Sequence, residues 1–180
     1  MVQKNKILLH ACCGICSGYP ISMLQKTGYD VVVYFCNPNL DTKEEFERRL
    51  EAQRTVCNNF GADLIVEEYD HNEYIEYVKG LETEPERGKR CIKCIELRLK
   101  HSGGKCKELD ISTFTTSLPI SPHKNFQMIS EIGSKVAKEF NIEYLPLDFK
   151  KKDGFLKTNN ISKELNIYRQ NYCGCEFAKG

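Results

Sequence analysis

The sequence predicts an α/β fold: one domain, residues 1–180, on a parallel sheet of about five strands with flanking helices and an irregular insert that carries cysteines. Two observations lead there. Short apolar runs alternate with stretches of helical period, the pattern left by strands joined through crossover helices. Polar and thiol residues fall directly after those runs, where open parallel sheets bind their ligands.

The first run, Lys6 to Ala11, reads as a buried strand. Lys4 and Lys6 precede it, but its apolar core is far too short for a signal peptide, and cysteines follow at once. Asp30–Cys36 (DVVVYFC) is the second strand. Asp41-Thr42-Lys43-Glu44 then opens a helix, with Asp41 as N-cap, Phe46, Leu50 and Phe60 as its apolar stripe and Gly61 as its stop. The third strand is Ala62–Glu67, with a helix expected directly after Asp70. Gly80 to Gly104, charged and rich in Gly, Lys and Arg, is expected to be irregular. Ile111–Thr116 is the fourth strand. Ile129, Ile132, Val136 and Phe140 repeat at helical spacing and predict a helix over Lys124–Phe140 packed on the sheet. Glu143–Leu147 is the fifth strand, and Pro146 assigns it to an edge. A last helix is expected after Ser162.

Composition narrows the function classes. With 41% apolar residues in 180, the chain buries a sizeable core without disulfides. Lys and Arg number 26 against 25 Asp and Glu, so no global field draws in nucleic acid or an anionic membrane, and such a partner needs local patches. No run approaches the ~20 apolar residues of a membrane-spanning helix. A cytoplasmic protein is expected, where thiols stay reduced and clustered cysteines bind metal or do redox chemistry.

The residues after the strands form the expected active-site rim: Cys12 and Cys13, then Asn37-Pro38-Asn39, Tyr69-Asp70, Ser117 with Ser121-Pro122-His123-Lys124, and Asp148. Of ten cysteines, Cys12-Cys13, Cys91-x-x-Cys94 and Cys173-Gly174-Cys175 are grouped, with Cys16 close behind the first pair. Cys12, Cys13, Cys91 and Cys94 make four thiolates, enough for a tetrahedral zinc site or a [4Fe–4S] cluster; adjacent ligands suit the bulkier cluster better. Cys173 and Cys175 are either a redox pair, whose disulfide would close a strained and labile ring, or ligands of a metal beside the cluster. Cys36, Cys57 and Cys106 are read as structural, and Cys16 as structural or as a neighbouring thiol. His10 is expected to be a satisfied core histidine. His123 either transfers a proton at the rim or is a plain surface residue. Asp70 binds a metal, donates a proton or caps the next helix. Arg87, Lys89, Arg90 and Lys93 abut the CxxC pair, Arg98 and Lys100 follow, and Lys150–Lys152 form another basic run. With Tyr168, Arg169 and Tyr172 beside Cys173, these groups suit phosphates and an exposed base of RNA.

On those residues the chain resembles the QueH-type epoxyqueuosine reductases. The matching blocks are Leu8-Leu9-His10-Ala11-Cys12-Cys13-Gly14-Ile15-Cys16-Ser17, Cys36-Asn37-Pro38-Asn39-Leu40, Glu86-Arg87-Gly88-Lys89-Arg90-Cys91-Ile92-Lys93-Cys94, Thr115-Thr116-Ser117-Leu118, Ser121-Pro122-His123-Lys124-Asn125 and Tyr168-Arg169-Gln170-Asn171-Tyr172-Cys173-Gly174-Cys175. Gly14 and Ile15 stand where the family commonly has alanine and proline, and neither change removes a ligand. The resemblance implies a Rossmann-like sheet and reduction of epoxyqueuosine in a tRNA anticodon loop to queuosine, the last step of queuosine formation. It further implies a [4Fe–4S] cluster on Cys12, Cys13, Cys91 and Cys94, and a Cys173/Cys175 pair that is redox active or metal binding. Expected roles follow from the chemistry. An adjacent iron ion would act as Lewis acid, Asp70 as proton donor or extra ligand, and Arg87, Lys89, Arg90, His123, Lys124, Tyr168 and Arg169 as contacts to the tRNA. An unidentified donor must deliver the electrons, and no membrane partner is expected. The rival reading is a zinc-stabilised RNA-binding module without catalysis. ATP use is disfavoured because Cys12-Cys13-Gly14 occupies the place of a glycine-rich phosphate loop.

Overall fold

In a computed structural model that describes residues 5–179, five strands pair in parallel in the order β3-β2-β1-β4-β5. They are β1 (Lys6–His10), β2 (Asp30–Phe35), β3 (Asp63–Val66), β4 (Thr113–Thr116) and β5 (Glu143–Tyr144). Lys4 and the outermost residues of the expected 1–180 domain lie outside the described residues. The central strand β1 is apolar on both faces because both are covered, as a parallel sheet requires. Ile7, Leu9, Val31 and Val33 pack with Ile21 and Leu24 of α1 (Gly14–Lys26) and Val56 and Cys57 of α2 (Lys43–Phe60); α6 (Gly154–Glu164) docks on α1. On the other face Leu8, Val32, Tyr34 and Phe114 meet Ile95, Leu99 and Cys106 of α4 (Lys89–Glu108) and Ile129 and Val136 of α5 (Phe126–Phe140). α3 (His71–Tyr77) follows β3 and leans on α4. Among the described residues no helix is long and apolar enough to cross a membrane.

The strands fall where the apolar runs predict, and β5 is an edge strand that stops at Tyr144, just short of Pro146. Four expectations need correction. The segment expected to be irregular holds most of α4, a 20-residue helix, so the CxxC pair lies on a helix rather than on an insert. Its glycines allow close packing: a Cβ on Gly103 would lie 2.5 Å from the Phe140 ring of α5. The N-cap of α2 is Thr42, whose hydroxyl accepts from Glu45 N at 3.1 Å. Asp41 instead accepts the Tyr172 hydroxyl at 2.8 Å and pairs with Lys179. Finally, Ser162 sits near the end of α6 instead of before it.

Candidate metal centre

The sheet reverses its winding between β1 and β4, and the crevice beyond their carboxyl ends is where such sheets bind ligands. Cys12 lies there. Ser117 N donates to the His10 carbonyl at 2.9 Å, and Cys12 N donates to Ser117 Oγ at 3.3 Å, so the chain ends of both strands hold the cysteine backbone. His10 below is buried and neutral. Burial, and after it the charge of Arg98, lowers its pKa to about 4; its two ring nitrogens meet Thr116 Oγ1 and the Cys36 carbonyl.

Cys13 is the N-cap of α1, and Cys16 sits in its first turn, so three sulfurs gather at a positive helix end. The Sγ atoms of Cys12, Cys13 and Cys16 lie within 4.8 Å of one another, and those of Cys12 and Cys13 are 3.8 Å apart. Hydrogen bonds from Cys13 and Cys16 hold Cys12 well below the usual thiol range, while Cys13 is pushed up to about 12 by the same contact. Without metal the triplet thus carries its charge on Cys12. Cys91, Cys94, Cys173 and Cys175 stand outside this triplet.

α4 presents Cys91 and Cys94 one turn apart. Cys94 is buried, which pushes its thiol up to about 11; Cys91 is half-buried, and its sulfur accepts Arg87 N at 3.2 Å. One turn beyond Cys94 lies Arg98, 3% exposed. Its Nη1 donates to Asn37 Oδ1 at 3.2 Å, and Asn37 Nδ2 donates to the Ala11 carbonyl at 3.0 Å, which ties α4 to the residue before Cys12. Burial opposes the Arg98 charge, but the thiols of Cys94, Cys173, Cys12 and Cys36 around it outweigh that and raise its pKa.

The carboxyl-terminal loop arrives from across the molecule. Arg49 of α2, 3% exposed, donates to the Cys173 and Tyr172 carbonyls at 2.9 and 3.1 Å while its Nε pairs with Glu45. Asp41 N donates to the Gly174 carbonyl at 2.8 Å. Gly174 has φ +120°, open only to glycine, and a Cβ there would lie 2.4 Å from Leu40 Cδ2. The loop presents Cys173 to Lys124, whose Nζ donates to its sulfur at 3.3 Å, and packs Cys175 with Tyr74, Cys94 and Leu97. The expected Cys173/Cys175 disulfide is absent: all ten cysteines are free among the described residues, and these two sulfurs have different neighbours.

The remaining predicted site residues divide. Asp70 is exposed and accepts Glu73 N at 3.2 Å, so it caps α3. Arg87 and His123 come together in the open, Nη2 to Nδ1 at 3.2 Å, and Lys89 is exposed beside them in sequence. Arg90 corrects the expectation of a phosphate contact: it is 1% exposed, and its Nη1 donates to the carbonyls of Leu81, Glu82 and Glu84. Tyr168 donates to Glu45, and exposed Arg169 to Ser162 and Asn159. Sequence reasoning passed over Cys16 as a member of the first group, Arg49 as the clasp of the last, and Arg98 as a buried cation. A helical reading of residues 91–106 would have put Arg98 in line with Cys94, Ile95 and Leu99.

A parallel α/β sheet with thiols converging on its switch point, backed by buried cations, defines a metal- or cluster-dependent class of enzyme rather than a nucleotide-binding one. The family model of epoxyqueuosine reductase QueH matches residues 7–180. The chain belongs to that family of oxidoreductases. It is 40% identical to epoxyqueuosine reductase QueH of Streptococcus pyogenes serotype M1, over 97% of this chain and 71% of that one. It is 39% identical to the Staphylococcus epidermidis protein of the same name, over 98% and 77%. With the Thermotoga maritima relative it shares 33% over 96% and 89%. Among solved structures, a predicted tRNA methyltransferase subunit from Methanocaldococcus jannaschii superposes with TM-score 0.60 at 13% identity, over 87% of this chain and 74% of that one. The U34-tRNA thiolase NcsA of Methanococcus maripaludis, solved with its [4Fe-4S] cluster, gives 0.58 at 15%, over 98% and 63%. At those identities the likeness concerns the fold.

Proposed function

We propose that this epoxyqueuosine reductase converts epoxyqueuosine in a tRNA anticodon loop to queuosine at a [4Fe–4S] cluster held by Cys12, Cys13, Cys91 and Cys94. The observation that carries the reading is the gathering of amino-terminal, central and carboxyl-terminal thiols around one buried guanidinium. The donor set fits the group. Thiolates are the ligands such clusters take, and Arg98 Nε, buried without a partner, awaits a negative charge. Cys16 stands by as a further thiol.

Reducing the epoxide breaks both bonds from carbon to its oxygen, forms a carbon–carbon double bond and releases water, at the expense of two electrons and two protons. The cluster, when bound, supplies electrons one at a time. A second store is therefore needed, and Cys173 with Cys175 supply it as a dithiol or as ligands of an adjacent iron ion. Lys124 holds a proton at Nζ against Cys173 Sγ and stands where the departing oxygen needs one. Asp70 keeps only its second carboxylate oxygen for a proton or a metal, because Oδ1 caps α3. Arg87, Lys89 and His123 offer exposed donors to anticodon-loop phosphates, and the modified base must swing out to reach the thiols.

The test is conversion of epoxyqueuosine tRNA under anaerobic conditions, read by mass spectrometry of the digested nucleosides. Cys12→Ser and Cys94→Ser should each abolish it while leaving tRNA binding in place. Full conversion in either variant overturns the ligand assignment.

A further inference from the structure

Arg98 is placed at large cost. Its side chain is 3% exposed, its Nε has no hydrogen-bond partner, and no carboxylate pairs with it among the described residues. A buried, permanently charged guanidinium in that state is destabilising unless an anion joins it. The groups around it are thiols from three distant parts of the chain: Cys12 after β1, Cys94 one turn before it on α4, and Cys173 in the carboxyl-terminal loop. Asn37 fixes its distance from the first of these by bonding Arg98 on one side and the Ala11 carbonyl on the other. Lys124, the other cation against these thiols, is half-exposed and so screened by solvent.

We infer that Arg98 is a positioning residue whose fixed positive charge, clamped by Asn37, neutralises the thiolate-bound cluster and sets its reduction potential. The inference rests on the cluster reading above. Each electron that enters adds negative charge beside Arg98, so the guanidinium favours the reduced form, and its removal lowers the potential. In the chain without metal the same charge is uncompensated, so its removal there is not destabilising. A residue with a merely structural role would behave in the opposite way on both counts.

The experiment compares wild type, Arg98→Met and Arg98→Lys, each melted as apoprotein and then reconstituted with iron and sulfide for an EPR-monitored redox titration. Arg98→Met should melt no lower than wild type as apoprotein. Once loaded, its midpoint potential should fall by at least 59 mV, a tenfold loss in the one-electron equilibrium. Arg98→Lys should recover at least half of that fall. If Arg98→Met takes up no cluster, loading of Arg98→Lys supports the charge requirement, and failure of both overturns it. An unchanged potential in loaded Arg98→Met, or an apoprotein that melts well below wild type, also overturns the inference. Wild type that assembles no cluster at all would remove the cluster reading together with it.

Discussion

Replacing Gly174 by alanine tests the clasp that brings Cys173 and Cys175 to the centre. At φ +120° an L-residue costs about 1–3 kcal/mol of backbone strain. The new Cβ would sit 2.4 Å from Leu40 Cδ2 and 3.0 Å from Arg49 Nη1. Leu40 is 1% exposed and cannot swing away, so overpacking adds about 1–3 kcal/mol. The total of about 4 kcal/mol corresponds to a fall in Tm of roughly 8–16 °C if the loop stays docked, at 2–4 °C per kcal/mol for a chain of this size. The chain has a cheaper response, since the loop is held by Arg49, Asp41 and Glu45 rather than by the sheet. Undocking of residues 168–179 caps the loss of global stability and shows as faster amide exchange in that segment alone. Gly174→Ala should therefore give a lowered Tm, selective deprotection of the carboxyl-terminal segment, or both, by calorimetry and hydrogen–deuterium exchange. Unchanged melting together with unchanged exchange would refute the reasoning.

Arg49→Met leaves the Glu45 carboxylate buried with only the Tyr168 hydroxyl as partner, so urea denaturation should register a loss of about 3–5 kcal/mol, partly recovered when Glu45→Gln is added. In the metal-free reduced protein, hydrogen bonds from Cys13 and Cys16 keep Cys12 ionised below the usual thiol range. Iodoacetamide near pH 7 should thus label Cys12 before Cys13 by peptide mass spectrometry, and the reverse order would contradict the charge distribution. Arg87→Ala and Lys89→Ala should each weaken tRNA binding and reduce the slope of log K against log salt by roughly 0.7 for each phosphate that is no longer neutralised. Arg90→Ala should leave the slope alone and lower stability, since that side chain is buried against carbonyls.

The strands and the residues at their ends were legible because β1 and β2 are apolar on both faces and end at turn and thiol residues, a pattern local enough to read along the chain. Two helices were not legible, and for related reasons. α1 carries Gly14, Gly18 and Pro20 and is buried on most sides, so it lacks the polar face that marks a helix. α4 carries a glycine pair and a dense run of charge; Gly103 is there to let α5 approach, and Arg90 and Arg98 are turned inward. Both facts depend on packing partners far away in sequence. The candidate site was readable as a set of cysteines, because each group is contiguous. Which thiols lie together was not, since the nearness of Cys16 to Cys12 depends on α1 starting at Gly14. The same holds for the roles of Arg49 and Arg98, which follow from what they meet in the fold.

The central claim is that thiols from distant parts of the chain hold iron and sulfide together. Iron and acid-labile sulfide per chain, measured on protein isolated without oxygen, test it most directly when wild type is set beside Cys12→Ser and Cys94→Ser. The account predicts close to four of each in wild type, as a [4Fe–4S] cluster requires, any further iron being without matching sulfide, and loss of both in each variant. Zinc without sulfide in wild type, or an unchanged iron and sulfide content in both variants, would contradict it.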